Sequence, residues 1–135
     1  MKVECIEWID KEVKEAILKV VSEANILNCF SCPCNYKKGD LVNEPLECLD
    51  VRDIIICYKP GYNIQKLEGT FKYKLRGVLV DKINGFMKVR GFCLHFDSTQ
   101  IPNDIENGMF IQMIVSRIDI WWLLEIESQV MRISV

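Results

Sequence analysis

The chain has 135 residues, of which 50% are hydrophobic and 27% charged, and its formal net charge is −2. This length suits one domain with one core, and the apolar runs fall far short of the roughly 20 residues that a membrane-spanning helix needs. We therefore predict a single domain over residues 1–135 without a membrane segment, and the overall acidic charge argues against a generally cationic nucleic-acid-binding protein.

The chain begins MKVECIEWIDKEVKE, which is too acidic for a secretory signal and lacks its apolar run. Its seven cysteines are an odd number, so they cannot all pair within the chain. A secreted disulfide framework is therefore disfavoured, and we expect a cytoplasmic protein.

Apolar residues recur every three or four positions near the start, which predicts an amphipathic helix over residues 4–27. The stripe consists of Ile6, Ile9, Val13, Ile17, Val20, Ala24 and Leu27. Acidic residues such as Glu7 stand four positions before lysines such as Lys11, the favourable order on a helix. We expect this helix to pack on a sheet formed by the rest of the chain. A helix that binds a partner or a second copy, giving a homodimer, is the alternative.

Residues 28–50 are predicted to be a cysteine-containing loop. Cys29 and Cys32 have the spacing of a metal-binding knuckle, and Cys34 and Cys48 could complete the four thiolates of a structural zinc site. However, Cys32 and Cys34 are too close to bind one ion comfortably, and Cys48 stands alone. A redox pair, small buried residues and an incidental disulfide remain open beside the zinc interpretation. No other cofactor is expected.

Residues 51–135 are predicted to be an antiparallel β core. Val51–Lys59 is a strand whose run of apolar residues suggests burial on both faces, between the helix and the sheet. Thr70–Ile83 is predicted to be a strand, because residues alternate between two faces from Phe71 to Lys82. One face carries Phe71, Tyr73, Leu75, Gly77 and Leu79, and the other carries Lys72, Lys74 and Arg76.

Asn84-Gly85 is a strong hairpin signal and should pair this strand with a second one over Phe86–Asp97. Gly77 and Gly91 fall in the middle of these two predicted strands, where glycine usually marks a bend. Two bent strands in succession favour a strongly coiled sheet or a small barrel. The fold class predicted overall is α+β, with the N-terminal helix packed on this sheet.

A long strand follows at Met109–Trp122, after a short segment at Gln100–Asp104, and Leu123–Val135 could supply a last strand. Trp121 and Trp122 would point to opposite faces, one into the core and one outward as an interface anchor. In strand order and spacing, residues 69–135 resemble the OB-fold superfamily. The helix common between its third and fourth strands is missing, and the first half of the chain has no counterpart.

The resemblance implies binding of single-stranded nucleic acid, because OB-folds often stack bases on aromatic residues of strands two and three. Local charge agrees, since residues 70–97 contain six basic and two acidic residues. The candidate binding residues are Lys72, Lys74, Arg76, Phe86, Lys88, Arg90 and Phe92.

The alternative is a non-enzymatic protein-binding module, such as an adaptor, an oligomer subunit or an inhibitor or immunity-type partner. It would use a sheet edge, the acidic helix face or a tryptophan. We expect no enzyme activity, because His95 is the only histidine and no serine has a recognisable nucleophile context.

Overall fold

The computed structural model describes residues 1–69, 71–126 and 129–133. The chain is mostly sheet, with 54% of its residues in strands. The strands are β1 (Lys2–Asp10), β2 (Glu15–Ser22), β3 (Asn25–Ser31), β4 (Leu46–Leu49), β5 (Arg52–Cys57), β6 (Asn63–Lys66), β7 (Tyr73–Asp81), β8 (Phe86–Val89), β9 (Phe92–His95), β10 (Phe110–Val115), β11 (Arg117–Asp119), β12 (Trp122–Ile126) and β13 (Gln129–Ile133). Within these described ranges the one helical segment is a 3-10 turn at Ser98–Gln100. No helix there is long and apolar enough to cross a membrane.

Eleven strands form one sheet, in the order β1-β2-β3-β11-β4-β9-β8-β7-β10-β5, and β6 also pairs with β7. Neighbouring strands are antiparallel except for two parallel pairs, β3 with β11 and β4 with β9. β12 and β13 form a separate two-stranded antiparallel sheet. Nearly all buried hydrophobic side chains of the described residues form one core cluster.

The predicted helix over residues 4–27 is wrong, because this segment is the antiparallel meander β1-β2-β3. Burial in β2 follows a period of two, with Ala16, Leu18 and Val20 fully buried. The β2–β3 turn consists of Glu23 and Ala24, both at positive φ, which is the backbone of a tight hairpin. Valine and isoleucine fit this pleated surface as well as they fit a helical stripe, so their spacing misled the prediction.

The predicted barrel is also wrong, because the sheet does not close. The second long strand, predicted over Phe86–Asp97, is two strands, β8 and β9, joined by a turn at Arg90 and Gly91. Both turn residues have positive φ. Gly91 therefore marks a reversal of the chain and not a bend within a strand, and the feature that favoured a barrel is absent.

The first long strand was predicted largely correctly. β7 covers Tyr73–Asp81 and its burial alternates as expected, whereas Thr70, where the strand was predicted to begin, lies outside the described residues. β5 also forms within the predicted Val51–Lys59. Instead of being buried on both faces, β5 is the last strand of the sheet, and Ile55 is half-exposed.

The sheet curls enough to bring β7 near β3. The Tyr73 hydroxyl accepts a hydrogen bond of 2.9 Å from the backbone N–H of Asn28. A second contact joins the Arg90–Gly91 turn to the β2–β3 turn. A Cβ added to Gly91 would collide with Ser22 and approach the Glu23 side chain. These contacts join the two halves of the sheet without strand pairing between them.

Gly77 marks the closest packing in the centre of the sheet. It lies in β7 beside the β8 backbone, where an added Cβ would collide with the Lys88 carbonyl oxygen and lie 2.5 Å from Val89 Cγ2. The β7–β10 register runs through this position without a bulge. Gly77 is therefore required for close approach and not for a bend.

We expect Gly77→Ala to lower the free energy of unfolding by about 1–3 kcal/mol, because the methyl group overpacks a rigid backbone contact. Denaturant unfolding measures the loss. Val80→Ala is the control in the same strand, because Val80 is 40% exposed, and its effect should stay within about 1 kcal/mol. Equal stability of Gly77→Ala and the unmodified protein would contradict the packing described here.

Candidate nucleic-acid interface

The sheet has a face turned away from the core in the region of β6, β7, β8 and β10, which we call the outer face. In β7 the side chains of Lys74, Arg76 and Val78 lie on it, alternating with buried residues. β10 places Gln112 opposite Arg76 and Phe110 opposite Val78 on the same face. The alternation predicted from sequence therefore does direct the β7 cations to one side.

The hairpin of β8 and β9 adds two more cations to this face. Lys88 is exposed and lies opposite Val78 across the β7–β8 pair. Arg90 lies in the turn that follows β8 and is also exposed. We call Lys74, Arg76, Lys88 and Arg90 the basic patch.

Two aromatic rings lie beside the basic patch. Tyr62, which directly precedes β6, is 41% exposed and contacts Phe110 of β10 edge to face, with 5.3 Å between ring centroids. The guanidinium of Arg90 lies over the Tyr62 ring at 5.5 Å from its centroid. β6, β8 and β10 all surround β7, which is why residues distant in sequence meet here.

None of the four cations has a carboxylate within ion-pair distance among the described residues. The ion pairs there join Lys82 to Glu106, His95 to Glu47 and Arg117 to Asp119. The cations of the basic patch therefore keep their charge available for a ligand.

Of the remaining residues predicted to bind nucleic acid, Lys72 and Phe86 are partly exposed and Phe92 is buried. Lys72 is partly exposed in the segment before β7, and Phe86 is partly exposed on the β8 side that also carries Lys88. Phe86 contacts the His95 ring at 4.8 Å between centroids. Phe92 is fully buried in the core, so it cannot stack on a base without unfolding of the hairpin.

Sequence reasoning missed Tyr62 and Phe110. Tyr62 lies between two predicted strands, and Phe110 lies in a predicted strand outside the predicted binding hairpin. The only signal in the sequence was their aromatic character, because their proximity depends on β6 and β10 both pairing with β7.

The four cysteines of the predicted zinc site do not meet. Cys29 and Cys48 are buried in β3 and β4, whereas Cys32 is partly exposed and its thiol lies 3.6 Å from the Val13 carbonyl oxygen. Among the described residues no group of three or more histidine, cysteine or acidic side chains is placed to hold a metal ion. All seven cysteines are free thiols.

Two charged pairs lie further along the sheet, on β4, β9 and β11. Nδ1 of His95 lies 2.5 and 2.8 Å from the carboxylate oxygens of Glu47, whose side chain is only 9% exposed. Asp119, directly opposite Glu47, accepts two hydrogen bonds from Arg117, at 2.7 and 2.9 Å. Arg117 also covers the Phe30 ring at 4.3 Å. These contacts satisfy buried carboxylates, and no serine or cysteine of the described chain hydrogen-bonds to His95.

We expect Phe92→Ala to destabilise the protein by about 3–5 kcal/mol, because it empties a fully buried site. Phe86→Ala should cost about 1–2 kcal/mol, since its ring is partly exposed and loses mainly the His95 contact. Chemical denaturation of both variants tests this difference. Similar losses in the two variants would contradict the opposite orientations of the two rings.

Cysteine reactivity should follow burial. Burial raises the pKa of the Cys29 and Cys48 thiols, so few thiolates form there, while Cys5 is exposed. We expect iodoacetamide to modify Cys5 before unfolding, and Cys29 and Cys48 only in denaturant, as measured by peptide mass spectrometry. Rapid labelling of Cys29 in the native protein would show that β3 is not buried as described.

No protein-family model, curated protein or solved structure matches this chain.

Proposed function

We propose that this protein binds single-stranded nucleic acid on its outer face. The observation that carries the proposal is the arrangement of the basic patch around the exposed Tyr62 ring and the partly exposed Phe110 ring that it contacts. Proteins that bind single strands without reading sequence combine cations that follow the phosphates with aromatic rings on which bases stack. Both components lie here on one sheet surface.

The cations support contact with a backbone of phosphates. Lys74 and Arg76 follow one strand, and Lys88 and Arg90 extend the charge across the neighbouring hairpin. Their charges have no carboxylate partner within the described chain, so phosphate contacts would displace only water and counterions.

The contact between Arg90 and Tyr62 supports base stacking. An exposed cation–π contact is worth about 0.5–1 kcal/mol, whereas stacking a base on an aromatic side chain is worth about 1–3 kcal/mol. A base can therefore replace the guanidinium over the Tyr62 ring with a net gain. The displaced Arg90 is then free to pair with a phosphate.

One carboxylate opposes this binding. Glu23 lies against the Arg90–Gly91 turn, at the edge of the basic patch. Its negative charge repels phosphates approaching from that side, which favours a strand that crosses β7 toward Phe110.

The test is fluorescence anisotropy with labelled oligothymidylate and oligouridylate at several salt concentrations. We expect the affinity for single strands to fall with salt, with a slope of about −3 in log K against log salt for four phosphate contacts. Duplex DNA of the same length should bind more weakly, because its bases cannot stack on Tyr62. Absence of binding at micromolar protein and low salt would disprove the proposal.

Variants locate the site. Lys88→Glu and Arg76→Glu should each weaken binding about tenfold or more and reduce the salt slope, and Tyr62→Ala should weaken it by about 1–3 kcal/mol with little change in slope. Lys11→Glu is the charge-matched control, because Lys11 lies in the β1–β2 turn, at the opposite end of these strands from the turn that contacts Gly91. Glu23→Gln should strengthen binding. Equal loss in Lys11→Glu would show that the interaction depends on net charge and not on this face.

A further inference from the structure

β5 ends the eleven-stranded sheet and pairs on one side only, with β10. The other end of the sheet is partly covered, because the N–H of Val3 in β1 donates to the Asp40 carbonyl and the Gly39 N–H donates to the Val3 carbonyl. No such segment covers β5 in the described chain. An uncovered edge strand presents unpaired backbone groups on which another strand can pair.

The hydrogen-bond pattern identifies the free backbone groups of β5. The N–H of Leu79 in β7 donates to the Met109 carbonyl, and the Gly108 N–H donates to the Leu79 carbonyl. The backbone groups of Leu79 therefore point toward the segment that leads into β10. Along antiparallel strands, hydrogen-bonded pairs of opposite residues alternate with pairs that are not hydrogen-bonded. Gly77 lies two residues from Leu79 and opposite Ile111, so Ile111 forms its backbone hydrogen bonds with β7. Its neighbours Phe110 and Gln112 therefore form theirs with β5.

Cys57 and Ile55 are the β5 partners of Phe110 and Gln112, so their backbone groups point into the sheet. The N–H and C=O groups of Ile54 and Ile56 point outward by the same alternation. The free edge is short. It begins after Asp53, where a positive φ and a register shift mark a bulge, and it ends before Pro60.

Three clefts lie along β5. The largest, about 410 Å³, lies at its start, between Asp50 and Arg52 on one side and Asp97 and Gln100 on the other. A second, of about 280 Å³, is lined by Ile54–Ile56, Tyr58, Pro102, Asp104 and Ile105. The third, of about 260 Å³, lies between Tyr58 and Met109. The second cleft lies along the free edge, so side chains of an added strand would have space there. The first cleft lies just before the free edge, and the third is also lined by Met109 and Phe110 on the side where β5 pairs with β10.

Apolar and acidic residues predominate in the lining of these clefts. They include the carboxylates of Asp50, Asp97 and Asp104 against the single guanidinium of Arg52. Hydrogen bonds from Thr99 hold the pKa of Asp97 below its usual range, so that carboxylate is ionised at neutral pH. Ile55, half-exposed, and Tyr58, 90% exposed, add apolar surface.

We infer that the β5 edge binds an extended segment of a partner protein in which apolar and basic residues alternate. The segment adds one short strand to the sheet by pairing with Ile54 and Ile56, as in recognition by β-augmentation. Its basic side chains lie near Asp50, Asp97 and Asp104, and its apolar side chains contact Ile55 and Tyr58. This site is separate from the basic patch and does not depend on nucleic-acid binding.

The probe is a fluorescent heptapeptide that alternates lysine and valine, measured by anisotropy with the full chain. A glutamate–valine heptapeptide tests charge. A lysine–valine heptapeptide with N-methylated valines tests strand pairing, because it keeps the charge and loses the N–H donors of the methylated residues. We expect no binding of the acidic peptide and at least about tenfold weaker binding of the methylated one.

Two measurements locate the peptide. Hydrogen exchange should slow at the amides of Ile54 and Ile56 when the peptide is bound. Asp104→Lys should weaken binding about threefold, whereas Glu12→Lys, the same charge change in the β1–β2 turn, should leave it unchanged.

Several results would overturn the inference. Equal affinity of the methylated peptide would mean attraction by charge alone, and slowed exchange at other amides would place the peptide elsewhere. Failure of the lysine–valine peptide to bind, or concentration-dependent dimerisation of the chain with protection of Ile56, would reject a basic partner segment in favour of no ligand or a second copy.

Discussion

The pairing of β7 with three other strands determines where the basic patch and the Tyr62 and Phe110 rings meet. β10 lies along one side of β7, while β6 and β8 share the other side, one after the other. Gly77 makes this arrangement possible, because only a residue without a side chain can lie against the Lys88 carbonyl and Val89. The β8–β9 turn is thereby brought to the start of β6, and Arg90 is placed over Tyr62. A shift of β7 by one residue would turn its cations into the core.

The sequence predicted the parts of the fold that depend on local pattern. The alternation of β7 and the burial of its apolar face were correct, because period two is unambiguous over nine residues. The N-terminal helix was wrong because the apolar residues of β1, β2 and β3 happen to recur at helical spacing, and the turns at Lys14 and Glu23-Ala24 contain no glycine or proline to reveal them. The predicted barrel failed because Gly91 was read as a bend.

Part of the candidate site could also be predicted from local alternation in the sequence. The cations of β7 and β8 alternate in a way that can be read from the sequence, so their common face was foreseen. The proximity of Tyr62 and Phe110 to these cations could not be predicted, because it depends on β6 and β10 both pairing with β7. A single strand over Phe86–Asp97 predicts Phe92 on the same face as Lys88, but the turn between β8 and β9 reverses the alternation, and Phe92 is buried. The position of β5 at the end of the sheet likewise follows from the strand order and could not be predicted from the residues of β5.

The pairing of β3 with β11, a strand far along the chain, affects how the sheet can form during synthesis. Phe30 of β3 pairs with Asp119 of β11, and Glu47 of β4 pairs with His95 of β9. The meander of β1, β2 and β3 is local and can form as soon as it leaves the ribosome, but β3 then has an open edge until Asp119 emerges. At ordinary rates of synthesis this interval lasts roughly 4–18 s, during which a hydrophobic sheet edge is exposed to neighbouring nascent chains. The late position of β11 in the chain thus leaves the β3 edge unpaired for most of the time that synthesis takes.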